Sequence, residues 1–131
     1  AAHYAFVERK ERAAHYARLR AVLEAELADI PRCQIIGARL AAAQLPHIAG
    51  MVIDNMEGQY TLLECNRRGV AISTGTACRV NEQDPSRTMM ALGHTVDEAK
   101  QFIRISFGKD TTEEDVLLFV RVVEDMVAQH V

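Results

Sequence analysis

The sequence has few cysteines, and they are not arranged in pairs. Cys33, Cys65 and Cys78 make an odd number, and no two of them form a C-x-x-C motif. A disulfide framework or a structural zinc site needs closely spaced ligands, so the sequence argues against both. We therefore expect free thiols, no metal site, and a reducing compartment such as the cytoplasm.

Long apolar runs and a surplus of basic residues are also lacking. No stretch of about 18 apolar residues is long enough to span a bilayer, and no charged start followed by an apolar run marks a secretory signal. The formal net charge is −3 and the basic residues are scattered, so nucleic acid finds no basic stripe. We expect a soluble, cytoplasmic protein that binds neither membrane nor nucleic acid.

The chain of 131 residues fits one domain, which we place over residues 1–131. It begins Ala1-Ala2-His3 without an initiator methionine and runs directly into helical sequence. We therefore expect a fragment of a longer protein.

Apolar spacing predicts two long helices near the ends of the chain. Apolar residues recur at steps of three and four both between residues 16 and 27 and between residues 116 and 127. Short apolar runs bounded by turn residues predict strands between them. In order, we predict a helix over 4–29, strands over 33–36 and 51–54, a helix over 55–68, a strand over 70–72, a short helix capped by Asp84-Pro85 and ending at Gly93, a short helix capped at 95–98, a strand over 101–106, and a last helix capped by Thr111-Thr112-Glu113-Glu114.

This order of elements predicts the α+β class, because a small sheet covered by two long helices accounts for it. The sheet is expected to be mostly antiparallel, with three to four strands. Shorter helices complete the domain.

The stretch from Ser73 to Arg79 is the strongest chemical signal. It follows an apolar run and combines small and hydroxyl residues, a glycine, and then Cys78 beside the guanidinium of Arg79. A thiol presented in this way can act as a nucleophile, and the adjacent charge favours the thiolate. The alternative is a small buried hydrophobic residue, which is how we interpret Cys33 and Cys65.

Arg104 lies within an otherwise apolar strand, where a guanidinium is costly unless it is paired or faces a cleft. A forked cation on a rigid strand is suited to grip a carboxylate with two hydrogen bonds. The alternative is an ion pair within the chain. Together with Cys78, the first interpretation suggests an amino-acid substrate. His47 has no acidic or histidine partner nearby in sequence, so we assign it a surface or packing role.

Several motifs in register resemble the C-terminal part of the cysteine desulfurases, which are pyridoxal-phosphate enzymes of the aspartate-aminotransferase fold type. The resemblance covers essentially the whole chain, and the spacing from Cys78 to Pro85 is similar to the subgroup with the longer cysteine loop. The motifs are Gly69-Val70-Ala71-Ile72-Ser73-Thr74-Gly75-Thr76-Ala77-Cys78, Asp84-Pro85-Ser86, Ala91-Leu92-Gly93, and Ile103-Arg104-Ile105-Ser106-Phe107-Gly108 followed by Thr111-Thr112-Glu113-Glu114.

The resemblance implies that Arg104 holds the carboxylate of L-cysteine and that Cys78 takes the substrate sulfur as a persulfide, releasing L-alanine. Cys78 then passes sulfur to an acceptor such as an iron–sulfur scaffold protein. The resemblance also implies a homodimer whose large domain binds pyridoxal phosphate. The lysine that holds the cofactor belongs to that absent domain. Lys10, Lys100 and Lys109 lie outside any such motif, so the isolated chain should be inactive.

Other interpretations stay open at this point. The chain is alternatively a stand-alone persulfide relay that works through Cys78 without a cofactor. It is alternatively an inert structural or interaction domain. A selenocysteine lyase or an aminotransferase relative is a lesser alternative, although a plain aminotransferase needs no nucleophilic thiol.

Overall fold

The computed structural model of the chain describes residues 2–37, 44–75 and 85–130. Within these ranges the helices and strands alternate irregularly along the chain, as an α+β domain requires. They are α1 (Ala2–Ala28), β1 (Cys33–Ile35), β2 (Ile48–Ile53), α2 (Gly58–Arg67), β3 (Ser73–Thr74), α3 (Arg87–Ala91), α4 (Val96–Gln101), β4 (Phe102–Ser106) and α5 (Glu113–Gln129).

The four strands form one antiparallel sheet in the order β1-β2-β4-β3. β2 and β4 make the central pair, with Ile48 opposite Ser106 and Val52 opposite Phe102. β3 adds two residues to the far edge of β4. The expected mostly antiparallel sheet of three to four strands is therefore confirmed.

The sheet has two different faces because successive side chains of a strand point to opposite sides. One, the core face, carries buried apolar residues of the central strands and packs against α1, α2 and α5. Its members are Ala49, Met51 and Ile53 of β2 and Ile103 and Ile105 of β4. The other, the open face, carries Ile48, Gly50 and Val52 of β2, Phe102, Arg104 and Ser106 of β4, and Ser73 of β3.

The two long helices bury the faces that their spacing predicts. In α1 the apolar spacing places Leu19, Leu23 and Leu27 in the core. In α5 the predicted face is likewise buried, from Val116 to Val127. Burial of these faces against the sheet supplies most of the stability of the helices, since propensity alone is a weak contribution.

Three predicted boundaries are wrong, each for a physical reason. The third strand is Ser73–Thr74 rather than 70–72, because only Ser73 and Thr74 pair with β4, whereas Val70 and Ile72 pack against the core without pairing. β2 begins earlier than predicted, at Ile48, where pairing with Ser106 begins. The second helix begins at Gly58 rather than 55, because Asn55 has φ of 60° and turns the chain.

Two predicted helix caps are displaced by one or two positions. The cap of α3 is Ser86, whose Oγ accepts a hydrogen bond from the Met89 amide, and not the Asp84-Pro85 pair, of which Asp84 lies outside the described residues. The capping box of α5 is formed by Thr112 and Asp115, one residue after the predicted box. The capping box predicted at the start of α4 is confirmed.

None of the helices in the described part of the chain is long and apolar enough to cross a lipid bilayer.

Candidate functional site

Arg104 lies at the centre of the open face, in a row of three residues from neighbouring strands. Gly50 of β2 lies opposite Arg104 on one side and Ser73 of β3 lies opposite it on the other. Directly opposed residues place their side chains on the same face, about 5 Å apart. Arg104 is therefore flanked by the Ser73 hydroxyl on one side and, on the other, by Gly50, over which the Phe102 ring packs.

The guanidinium of Arg104 is exposed, and no acidic residue within the described ranges pairs with it. The local ion pair, which was the alternative at this position, is therefore absent from the described part of the chain. A charged fork on a rigid strand, without a local acid, is suited to bind an anion from outside.

A small apolar cluster closes one end of the open face. Val52 and Phe102, which lie opposite each other, pack with Met89 of α3 and Ala99 of α4, and Ile36 lies against them. At the other end of the face, Ser106 is exposed and Ile48 is half-buried. Arg104 thus lies between an apolar wall and an accessible end.

Cys78 and Arg79 lie outside the described residues. They nevertheless follow soon after the strand that pairs with β4. Ser73 of β3 lies opposite Arg104, and Gly75 is the last described residue before residue 76. Two residues lie between Gly75 and Cys78, and the three Cα-to-Cα steps between them span at most about 11 Å. The length of the chain therefore allows Cys78 to reach the vicinity of Arg104.

The other two cysteines are packing residues, as expected. Cys65 is buried in α2, and Cys33 is half-buried against the same core. Burial raises the pKa of each thiol to about 11, because the thiolate is poorly solvated there. A raised thiol pKa disfavours the thiolate at neutral pH, and in the described ranges no cluster of histidine, cysteine or acidic residues is arranged to hold a metal ion.

His47 takes the packing role that the sequence predicted. Its ring lies 5.7 Å from the ring of Tyr16, and its carbonyl accepts a hydrogen bond from the Phe107 amide at 2.8 Å. It is half-buried and lies beside α1 rather than beside Arg104.

The sequence did not identify Gly50 or Ser73 as neighbours of Arg104. They come from β2 and β3, and only the pairing register brings them beside Arg104 of β4. The single sequence signal was the isolated arginine itself, which marks the strand but not the residues opposite it.

The three lysines do not form a site for pyridoxal phosphate with the described residues. Lys10 is exposed in α1, with its Nζ 5.1 Å from the Phe6 ring centre, while Lys100 is exposed in α4 and Lys109 follows β4 in an exposed turn. None lies on a strand of the open face. The chain therefore does not fit the cofactor's need for a covalently bound amine beside the substrate site.

The geometry defines an α+β domain that presents, on an open sheet face, a strand arginine without an acidic partner among the described residues. Residues 1–119 match the model of the family described as aminotransferase class-V. Because this match covers most of the sequence, the chain belongs to the aminotransferase class-V family. Members of this family and of the cysteine desulfurases depend on pyridoxal phosphate.

Individual relatives point in the same direction. The chain is 56% identical to a NifS protein of Bacillus subtilis (strain 168) over 72 residues, which is 55% of this chain and 18% of the relative. It is 32% identical to a cysteine desulfurase of Azospirillum brasilense over 125 residues, 95% of this chain and 31% of the relative. The chain therefore spans less than a third of the length of these relatives.

Solved structures share the fold. A NifS-like protein matches with a TM-score of 0.76 at 25% identity, covering 94% of this chain and 30% of that protein. A NifS-like protein from Rickettsia africae matches with a TM-score of 0.72 at 24% identity, covering 87% of this chain and 28% of that protein. These matches support the expected fold of the small domain of a pyridoxal-phosphate enzyme.

Proposed function

We propose that the chain is the C-terminal small domain of a pyridoxal-phosphate-dependent cysteine desulfurase. Arg104 binds the carboxylate of L-cysteine and Cys78 accepts its sulfur. The observation that carries the proposal is the placement of Arg104, exposed on the open face beside the strand that leads to Cys78 and without an acidic partner among the described residues.

Arg104 is suited to recognise the carboxylate of a small amino acid. Its fork can donate two parallel hydrogen bonds to the two carboxylate oxygens, which fixes the orientation of the substrate as well as binding it. The Ser73 hydroxyl supplies a polar neighbour on one side of Arg104, and on the other side the Phe102 ring packs over the backbone of Gly50. These residues all lie on rigid strands, so little conformational entropy is lost when the carboxylate binds.

Cys78 carries the sulfur in this proposal. Its thiolate, favoured by the neighbouring Arg79, attacks the sulfur of bound L-cysteine, and a sulfur–sulfur bond forms as the carbon–sulfur bond breaks. The three-carbon remainder takes up a proton and leaves as L-alanine. The persulfide on Cys78 then passes to an acceptor protein, for which an iron–sulfur scaffold is the proposed class.

The rest of the enzyme supplies what this chain lacks. The pyridoxal phosphate is held by a large domain outside residues 1–131, and the full-length enzyme acts as a cytoplasmic homodimer. None of the three lysines lies on a strand of the open face, so this proposal assigns the amine that holds the cofactor to the large domain. The isolated chain is therefore expected to release no alanine from cysteine, even when pyridoxal phosphate is added.

The test uses the full-length protein that contains this chain. Arg104→Ala should lower kcat/KM for L-cysteine at least about 30-fold, chiefly through KM, because the substrate carboxylate loses its charged partner. Arg104→Lys should recover only part of this loss, since a point charge replaces a fork. Arg67→Ala is the matched control, because Arg67 is exposed and pairs only with Glu64 among the described residues. Alanine release measures all three.

The role of Cys78 is tested separately. Cys78→Ala should abolish persulfide formation and alanine release while cysteine still binds. Persulfide on Cys78 of the isolated chain without cofactor would favour a relay, and alkylation no faster than that of a free thiol would favour an inert domain. Robust alanine production by the isolated chain would contradict the proposed division of roles.

A further inference from the structure

The ring of Phe102 is wedged between two glycines from the neighbouring strands. A Cβ at Gly50 would lie 2.6 Å from Cε2 and 3.0 Å from Cζ of this ring, and a Cβ at Gly75 would lie 3.1 Å from its Cδ1. The first two distances are too short for any side chain, and the third is tight. Both backbones thus approach the ring closely because they carry no side chain.

Gly75 is also in close contact with Ser86. A Cβ at Gly75 would lie 2.6 Å from both Cβ and Oγ of Ser86. Ser86 is itself fixed, since it is 2% exposed, caps α3 by accepting from the Met89 amide, and donates its own amide to the Ala99 carbonyl at 3.4 Å. Residues 75 and 86 therefore lie against each other although ten residues separate them in the chain.

The segment between these two residues contains Cys78. Its first anchor, Gly75, contacts Phe102, and its second anchor, Ser86, contacts Gly75. Phe102 lies two residues before Arg104 on the same strand and the same face, about 6.7 Å away along β4. The Phe102 ring thus contacts Gly75, one of the two residues that flank the segment that bears Cys78, and Gly75 in turn contacts Ser86, the other.

We propose that Phe102, Gly75 and Ser86 form a clasp that sets the position of the Cys78 segment relative to Arg104. The inference rests on the proposed function, because it assumes that Arg104 holds the substrate and Cys78 attacks it. The clasp residues touch neither substrate nor sulfur and act as positioning residues. Residues 75 and 86, which flank the sequence that contains Cys78, are held at one point, and a displacement of about 1 Å at a reacting atom can cost about 100-fold in rate.

The decisive variant is Gly75→Ala in the full-length protein. The added methyl group must displace Ser86 or the Phe102 ring, so kcat for alanine release should fall at least about tenfold. KM for L-cysteine should stay within about twofold, because Arg104 is unchanged. A merely structural role for Gly75 would not produce this split between kcat and KM.

Gly108→Ala is the matched control. Gly108 has a φ that any residue adopts, and a Cβ there would meet only Thr111 Oγ1 at 3.7 Å, an ordinary contact. This glycine also follows β4 closely, so it controls for the general effect of a glycine-to-alanine change near Arg104. Its kcat and KM should both equal those of the unchanged protein.

A rescue variant tests whether the contact itself is responsible. Ser86→Gly removes the two atoms that a Cβ at Gly75 would strike, and glycine replaces serine at a helix cap at small cost. The double variant Gly75→Ala/Ser86→Gly should recover most of the lost kcat. Phe102→Leu removes the ring that contacts Gly75 without introducing a clash, so it should lower kcat and leave KM unchanged. This variant replaces Gly75→Ala in the test if Gly75→Ala does not fold.

The outcomes separate the clasp from the proposed function. The clasp is overturned if Gly75→Ala and Phe102→Leu behave like Gly108→Ala, or if the double variant recovers nothing. The proposed function is overturned instead if Cys78→Ala retains full alanine release, whatever the clasp variants do. Loss of activity in Cys78→Ala together with the kcat effect and its rescue supports both.

Discussion

The two faces of β4 carry residues with opposite tasks. Ile103 and Ile105 point into the core and are almost completely buried, whereas Arg104 and Ser106, which alternate with them, are exposed on the other face. One strand of five residues therefore contributes to the core with one set of side chains and presents the proposed ligand-binding residue with the other. Because side chains alternate, the Arg104 guanidinium lies on a rigid strand but outside the core, where burying its charge would be unfavourable.

The contrast extends to the two arginines at the sheet. Arg20 of α1 is only 8% exposed, yet its guanidinium is fully used. It donates to Glu24 at 2.8 Å, to the carbonyls of Leu45 and Ile48 at 3.3 and 2.6 Å, and to Gln44. Arg104 has no acidic partner in the described ranges. Arg20, whose guanidinium makes all these hydrogen bonds within the chain, contributes to the fold, whereas the guanidinium of Arg104 is available for an external ligand.

The largest expected effect separates adjacent residues of β4. Ile103→Ala should lower the free energy of unfolding by about 2–5 kcal/mol, because it leaves a cavity in the core. Arg104→Ala should change it by no more than about 0.5 kcal/mol, since the side chain is exposed. Urea unfolding followed by circular dichroism measures both. Equal losses in the two variants would mean that the faces do not have separate tasks.

A somewhat smaller effect is expected for the saturated arginine. Arg20→Ala should lower the free energy of unfolding by about 1.5–3 kcal/mol, because it leaves the Leu45 and Ile48 carbonyls without their charged donor. Arg12→Ala on the same helix is the control, since its pair with Glu8 is exposed and worth only about 0.3–0.5 kcal/mol. Equal losses of unfolding free energy in the two variants would mean that the hydrogen bonds of Arg20 do not contribute to stability.

The smallest effect concerns the helix that closes one end of the open face. The Thr95 amide hydrogen bond, followed by weaker contributions from Thr95 Oγ1 and His94, holds the pKa of Glu98 below its ordinary value of 4.5. A lowered carboxyl pKa stabilises the folded state above pH 4.5, and this contribution is lost as pH falls through the folded-state pKa. The melting temperature of Glu98→Gln should therefore lie below that of the unchanged protein at pH 6 and approach it at low pH. A pH-independent difference would contradict this.

Local patterns predicted those parts of the fold that depend on neighbours in sequence. The buried faces of α1 and α5 follow from spacing alone, and the capping box at Thr95 follows from two residues three apart. Thr111 and Thr112 offer nearly equivalent starts for α5, and the choice of Thr112 depends on Asp115 reaching back to its amide. Short-range chemistry therefore fixes the elements but leaves their ends uncertain by a residue or more.

The candidate site depends on long-range pairing, which the sequence did not specify. Arg104 was identifiable because a charge in an apolar strand is unusual. Its neighbours Gly50 and Ser73 were not, because they become neighbours only when β2 and β3 pair with β4 in the observed register. The third strand was predicted over 70–72 for the same reason, since an apolar run does not reveal where hydrogen bonding to a distant strand begins.

The strand order has a consequence for how the chain acquires its structure. β2 ends at Ile53, but its central partner β4 begins only at Phe102, so about fifty residues must be made before the middle of the sheet can close. Until then β1 and β2 form at most a two-stranded antiparallel pair with both edges unpaired, which is marginally stable in water. The arrival of β4 therefore completes the middle of the sheet and brings Arg104 to its place in the same step, so Arg104 cannot be in position before the domain has folded.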